Sequence, residues 1–176
     1  MGLKFWRAKM LYVLTGRNMN HIINCFRKNG VNIGEGCNIY SDLLTSEPYL
    51  ITIKNNVTIS NDVQFITHDS SVCKVIPDLS DFFGEISIGD NCFIGARSIL
   101  LPGVTLANNI IVGAGSVVTK SFYEEGILIA GNPAKKISDV EVFKEKVMEH
   151  GFNITLLSPQ EKRSLLLNNK NMFLKK

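Results

Sequence analysis

Aliphatic side chains recur every six residues through the middle of the chain, and this period constrains the fold more than any other feature. Ile88, Ile94, Leu100, Leu106, Val112 and Val118 share one phase, and Gly89, Gly95 and Gly113 follow three of them. The slot four residues after each aliphatic position is small or β-branched: Cys92, Ser98, Val104, Ile110 and Ser116. An earlier tract keeps the period with Ile53, Ile59 and Phe65, each preceded two positions back by Ile51, Val57 or Val63, and Ile33-Gly34 and Ile39 open it. A helix repeats every 3.6 residues and a strand every two, so neither accounts for six. Six residues must instead complete one unit, a short flat strand and a turn, with the aliphatic residue facing a core and Gly accommodating the turn backbone. Three units close a triangular coil, so residues eighteen apart stack at a strand spacing of about 4.8 Å. Ile88 then lies beneath Leu106, Ile94 beneath Val112 and Leu100 beneath Val118. A single coil cannot cover its own aliphatic face, and stacking supplies the burial. Six consecutive matches in one phase argue against a β-sandwich with chance periodicity.

The rest of the chain fits around that solenoid. With 176 residues, 45% hydrophobic and 20% charged, it can bury a core and does not have the composition of a disordered chain. A net charge of +3 and no basic run interleaved with aromatics point away from nucleic acid, while suiting a ligand that carries phosphates. No apolar stretch is long enough to span a bilayer. Arg7 and Lys9 interrupt the apolar run at the start and no small-residue cleavage site follows, so it reads as an amphipathic helix and not as a signal peptide. The default role for this segment is to cover the open edge of the first coil, with contact to a membrane or a partner enzyme as the lesser alternative. Membrane contact is not expected, and a cytoplasmic location is. Cys25, Cys37, Cys73 and Cys92 show no C-x-x-C spacing and read as free thiols.

Three regions follow: a helical cap over 1–30 with a break near Thr15-Gly16, β-helix coils over 31–138, and a helical tail over 139–176. The coils are interrupted by an irregularity near Asp42–Pro48 and by an excursion over 67–85 that carries Pro77, several Asp and Gly84. In the tail, Asp139 near a helix start, Gly151 after its end, and Ser158-Pro159 opening a second helix are the boundary signals, and the residues from Asn168 on are expected to be loose.

The chain has three histidines. His21 lies in the N-terminal helical segment, and His150 ends a C-terminal helix, where a cation suits the dipole, so both have structural readings. His68 sits in Phe65-Ile-Thr-His-Asp, at the last regular turn before the excursion, where a coil has no structural need for imidazole. An imidazole, with an ordinary titration near pH 6.5, suits removal of a proton from a hydroxyl at the mouth of a cleft.

An ordered set of motifs then carries a resemblance: Ser46-Glu-Pro-Tyr-Leu-Ile-Thr-Ile, Phe65-Ile-Thr-His-Asp, Ile86-Ser-Ile-Gly-Asp-Asn-Cys-Phe-Ile-Gly-Ala, Leu101-Pro-Gly-Val, Val112-Gly-Ala-Gly-Ser-Val-Val-Thr-Lys and Gly131-Asn-Pro-Ala-Lys. Over about residues 30–138 the chain resembles the hexapeptide-repeat sugar O-acetyltransferases, among them the maltose and galactoside enzymes. It is most similar to the small enzymes of capsule and lipopolysaccharide biosynthesis. The resemblance implies an all-β, left-handed parallel β-helix, a homotrimer with active sites between subunits, and acetyl-CoA as co-substrate with no metal in the chemistry. It implies that His68 deprotonates a sugar hydroxyl of a cell-surface polysaccharide precursor, which attacks the thioester directly. The family's His is oriented by a carboxylate or a backbone carbonyl. Asp42, Glu47 and Asp69 are the candidates here, with Glu47 favoured because position 50 stacks one coil before His68; a solvated surface role is the alternative. Asp42 and Asp69 also stand as acceptor-binding candidates. The match to Ala96 implies an oxyanion-holding backbone N–H, a role that needs donors already in place. Ala96 and Ala114 match positions along the pantetheine arm, where a bulky side chain would block backbone approach. Thr119 and Lys120 match coenzyme contacts, and Lys135 matches a basic residue near the nucleotide phosphates, against the plain reading of the two lysines as surface charges. Many relatives carry Trp where this chain has Phe93, which keeps aromatic packing in the coenzyme tunnel and alters its shape.

Two other classes share this architecture. A γ-type carbonic anhydrase needs three His around zinc, and only His68 lies in a coil. A non-catalytic scaffold would need neither the His68 motif nor the Ala96 and Ala114 pattern. Serine or an amino sugar remain alternative acceptors, because the same base could serve an amine.

Overall fold

The computed structural model describes residues 2–43 and 45–175. Two helices come first, α1 (Gly2–Leu14) and α2 (Asn20–Lys28). Thirteen short strands follow: β1 (Asn32–Ile33), β2 (Asn38–Ile39), β3 (Ile51–Ile53), β4 (Thr58–Ile59), β5 (Gln64–Phe65), β6 (His68–Asp69), β7 (Phe82–Phe83), β8 (Ile86–Ile88), β9 (Phe93–Ile94), β10 (Ile99–Leu100), β11 (Thr105–Leu106), β12 (Ile111–Val112) and β13 (Val117–Val118). The chain closes with the hairpin β14 (Ile127–Gly131) and β15 (Ala134–Asp139), then helices α3 (Val140–Val147) and α4 (Pro159–Asn168).

The strands form three faces that the chain visits in rotation. One face holds β1-β3-β8-β11, a second β2-β4-β9-β12-β14-β15 and a third β5-β10-β13. Pairing within the faces is parallel except for the final hairpin. The registers Ile88↔Leu106, Ile94↔Val112 and Leu100↔Val118 are the eighteen-residue stacks that the six-residue period requires. All six of these side chains are at most 1% exposed, and with Ile39, Ile51, Ile53, Ile59 and Ile86 they make one continuous apolar column. Burying each such side chain contributes roughly 1.5–3 kcal/mol.

Departures from eighteen locate the insertions. Ile33 pairs with Ile53, twenty residues on, so the Asp42–Pro48 irregularity adds two residues to the first coil. Ile53 pairs with Ile88 and Phe65 with Leu100, each thirty-five residues on, so the excursion adds seventeen. Its ends are clamped: β6 and β7 pair antiparallel through His68↔Phe83 and Asp69↔Phe82, and the Gly84 N–H donates to the Thr67 carbonyl at 2.9 Å.

The glycines after the aliphatic positions serve a different purpose from the one expected. Gly89, Gly95 and Gly113 are absent from the positive-φ positions, which fall instead on corner residues such as Asn91, Arg97 and Gly115. A Cβ on Gly89 or Gly95 would lie 2.5 Å from the backbone of Ala107 or Ala114, so these positions need space and not unusual dihedrals. The small-residue slot has its own reason. Cys92 Sγ donates to the Ala107 carbonyl at 3.1 Å, and Ser98 Oγ to that of Gly113 at 3.1 Å, which holds successive corners together.

Helix α2 covers the first coil. Ile22, Ile23, Cys25 and Phe26 are buried in the same core as the coils, and the Phe26 ring lies 5.2 Å from that of Phe5 in α1. Arg27 donates to the carbonyls of Ile33 and Gly34 and pairs with Glu35 at 2.7 Å, tying α2 to β1. At the other end, Ser158 caps α4 in a reciprocal capping box with Glu161, as its sequence signals. Asp139 occupies the N-cap of α3 but makes no side-chain cap bond, pairing instead with Lys136 at 2.7 Å. The tail past Asn168 folds back where looseness was expected: the Met172 carbonyl lies 2.8 Å from His150 Nδ1, and the Phe173 ring packs 6.1 Å from that of Phe152.

Candidate active site

His68 emerges where the chain leaves the third face. Phe65 is buried in β5, Ile66 is half-exposed, Thr67 turns inward at 1% exposure, and His68 turns outward at the start of the excursion. The alternation is that of a strand, so the buried Thr67 and the accessible His68 are fixed by the register of Phe65. Phe83, opposite His68 in the antiparallel pair, places its ring 5.9 Å from the imidazole.

The irregular first coil delivers a carboxylate to this imidazole. Glu47 Oε2 lies 2.7 Å from His68 Nδ1, and the Glu47 side chain is 13% exposed against 41% for His68. The same oxygen accepts from Thr67 Oγ1 at 2.8 Å, and Thr45 lies beside both. Burial pushes the Glu47 carboxyl up, but the hydrogen bonds from His68, Thr67 and Thr45 and the imidazole's charge outweigh it, leaving the carboxyl below its ordinary range. An ionised acceptor on Nδ1 holds the proton there and leaves Nε2 as the basic nitrogen. Among Asp42, Glu47 and Asp69, Glu47 is thus the one that contacts the ring. Asp69 instead accepts from the Ser71 N–H at 2.7 Å, which holds its carboxyl below the ordinary range and caps the turn Ser70–Lys74. Asp42 pairs with Lys9 of α1 at 2.9 Å and lines a groove with Tyr40, Asn61 and Gln64.

The remaining candidates lie along the second face and its corner with the third. Phe93 is 43% exposed on the second face, stacked on Thr58 and Ile111. Ala96 and Ala114 occupy the same corner position on successive rungs, Ala96 half-exposed and Ala114 exposed. The rungs are joined by the Gly115 N–H donating to the Ala96 carbonyl at 2.8 Å. Among the described residues no backbone acceptor receives the N–H of Ala96 or Ala114. This corner therefore presents unpaired donors beside small side chains. Thr119 and Lys120 are exposed after β13, with the Lys120 ammonium 5.6 Å from the Phe122 ring centroid. Lys135 is exposed in the closing hairpin, opposite Ala130.

His68 and Ala96 stand at opposite edges of the third face, one after its strand and one before. About five residues of extended chain separate those edges, roughly 17 Å. Sequence reasoning passed over Thr45 and Thr67. Its available signal was the hydroxyl of Thr67 at an inward position of a tract otherwise filled by aliphatic residues.

Comparison with known proteins agrees with this architecture. Residues 85–120 match the family model described as the hexapeptide repeat of succinyl-transferase. Protein CapG of Staphylococcus aureus is 45% identical over 166 residues, covering 91% of this chain and 94% of that protein. The galactoside O-acetyltransferase of Escherichia coli is 32% identical over 114 residues, 63% of this chain and 56% of that enzyme. Among solved structures, a hexapeptide-repeat acetyltransferase of Vibrio cholerae complexed with acetyl coenzyme A superposes with a TM-score of 0.60 at 22% identity, covering 78% of this chain and 85% of that one. The register of eighteen, the matched repeat and the near full-length relative together place the chain in the hexapeptide-repeat acetyltransferase family.

Proposed function

We propose that this protein transfers the acetyl group of acetyl-CoA to a hydroxyl of a sugar, a precursor of a cell-surface polysaccharide, with His68 as general base. The observation that carries the reading is the 2.7 Å contact between Glu47 and His68 Nδ1, which leaves Nε2 free on an accessible ring. The small-residue corner with its unpaired N–H groups at Ala96 and Ala114 supports a coenzyme arm laid along the coil axis, and solved relatives bind coenzyme A or acetyl coenzyme A. Thr119, Lys120 and Lys135 are assigned to the distal part of that ligand, and Phe93 to the tunnel wall. Asp42 and Asp69 are assigned to the acceptor side. The resemblance supplies the left-handed winding and the trimer, and galactoside acetyltransferases among the relatives favour a sugar over serine or an amine.

The thioester supplies an activated acetyl carbon. His68 Nε2 takes the proton of the acceptor hydroxyl as its oxygen adds to that carbon. The Ala96 N–H donates to the oxyanion that develops on the former carbonyl oxygen. As that oxygen regains its double bond, the carbon–sulfur bond breaks, and His68 returns its proton to the departing sulfur. Glu47 holds the ring in one tautomer and balances the imidazolium charge while it lasts. The roughly 17 Å between the two edges of the third face exceeds what one acetyl group can bridge, so His68 and Ala96 of one site come from neighbouring copies.

Thiol release from acetyl-CoA, followed across sugar nucleotides, oligosaccharides, serine and amino sugars, tests the reading. Thiol release is expected with a sugar hydroxyl and should fall about 10²–10⁴-fold in His68→Ala. Undiminished release in that variant would remove His68 as the base, and turnover of serine or an amine alone would remove the sugar.

A further inference from the structure

Charge is divided sharply along this chain. Residues 1–34 hold Lys4, Arg7, Lys9, Arg17, Arg27 and Lys28 and no acidic residue. The remainder holds 13 basic residues against all 16 acidic ones, so the basic excess belongs to the helical cap. Lys9 and Arg27 are paired with Asp42 and Glu35. Among the described residues no carboxylate pairs with Arg7, Arg17 or Lys28.

The same cap leaves an apolar face uncovered. Phe5 and Ala8 of α1 turn inward at 7% and 6% exposure, with Tyr12 packed behind them. Trp6, Met10 and Val13, spaced to share one side of the helix, turn outward at 63%, 43% and 66% exposure, with Leu14 beside them at 72%. Next to this stripe, a groove between α1 and α2 is lined by Arg7, Leu11, His21, Asn24 and Lys28, with no carboxylate in its wall. Aromatic and aliphatic side chains flanked only by bases are the pattern of a helix lying in a membrane interface, with its apolar face among acyl chains and its bases at the phosphates.

We infer that the outer face of α1 docks on an anionic lipid bilayer, with Trp6, Met10, Val13 and Leu14 entering the interface and Arg7 and Lys28 meeting headgroup phosphates. No helix of the described residues is long and apolar enough to cross a membrane, so the contact is peripheral. A second copy docked across a two-fold contact would set an equally basic α1 against this one, and a neighbour in the proposed trimer is told apart by the Trp6 emission without lipid. The sequence alone favoured a covering role. That role is performed by the inward side of α1 and by α2, and it leaves the outer stripe without a function.

Trp6 is the chain's only tryptophan, so it reports directly. The full chain is mixed with phosphatidylcholine vesicles with and without phosphatidylglycerol. Flotation with the anionic vesicles only, a blue shift of the Trp6 emission, quenching by brominated lipid and release by molar salt are expected. Trp6→Ser/Val13→Ser should abolish flotation while thiol release on a soluble acceptor stays unchanged, and Arg7→Ala/Lys28→Ala should shift the release to lower salt. Failure to float with anionic vesicles would overturn the inference. So would a Trp6 emission already blue-shifted and shielded from iodide without lipid, which would mean that another copy covers the stripe. Neither result bears on the acetyl transfer, which fails only in the thiol assay.

Discussion

At the scale of single residues the site is a chain of donors converging on one carboxylate oxygen. Glu47 Oε2 receives Thr67 at 2.8 Å and faces His68 Nδ1 at 2.7 Å. Exchanging the carboxylate for an amide keeps the shape and removes the charge that balances a protonated ring. Glu47→Gln is therefore expected to lower kcat by about 10–100-fold with little change in KM for acetyl-CoA, read by steady-state thiol release. The pH dependence follows from the direction of the Glu47 shift. A carboxyl held below its ordinary range contributes stability above that range, and the contribution is lost as pH falls through the depressed value. Thr67→Val removes one donor, so the Glu47 carboxyl should titrate at higher pH in the variant, as carbon-detected NMR of the side chain would show. An unmoved midpoint would mean that the Thr67 hydroxyl does not serve the carboxylate. Asp69, engaged in capping its own turn, should be indifferent to this change.

At the scale of elements, two kinds of glycine separate. Gly89 is needed for room, its absent Cβ facing the Ala107 backbone at 2.5 Å, while Gly115 is needed for its dihedral, φ 71 with open space around it. Gly89→Ala should cost about 1–3 kcal/mol in urea unfolding, because backbone must move. Gly115→Asn should cost much less, since Arg97, one rung below, already holds φ 60. This distinction was not legible in the sequence, where Gly89 read as a turn residue and nothing singled out Gly115. The stacking register was legible, because every aliphatic position repeats one phase and a slip of one residue would expose the whole column. The excursion was legible as the tract where that phase lapses. The hydroxyls of Thr45 and Thr67 were not, because an inward threonine in a coil announces a hydrogen bond without naming its partner. Nor was the outward side of α1, whose apolar residues lie on both faces, so that only the packing of Phe5 against Phe26 reveals which side is left over. His68 stood out because imidazole has no place in the repeat. Its partner Glu47 lies twenty-one residues back and not at the eighteen-residue offset, position 50, that favoured it, because the irregular tract lengthens this coil.

At the scale of the whole molecule, the triangular coil separates the two halves of the proposed chemistry. Imidazole and carboxylate belong to the edge where the third face ends, and the unpaired N–H groups of Ala96 and Ala114 to the edge where it begins. A flat face of short strands has no means of folding these edges together, since every rung is locked to the next by parallel pairing. In the proposed site a neighbouring copy closes the distance. This makes complementation the decisive measurement. His68→Ala removes the base from one edge, and Ala96→Trp fills the other edge with an indole. Each variant alone should be inactive in thiol release. Co-refolded in equal amounts as a trimer, about one interface in four would pair an intact His68 from one chain with an intact Ala96 from the other, restoring roughly a quarter of the activity. Recovery near that level requires the site to lie between subunits. If mixed particles form and no activity returns, both groups must act within one chain, and the excursion would have to swing His68 across the third face to reach its substrate.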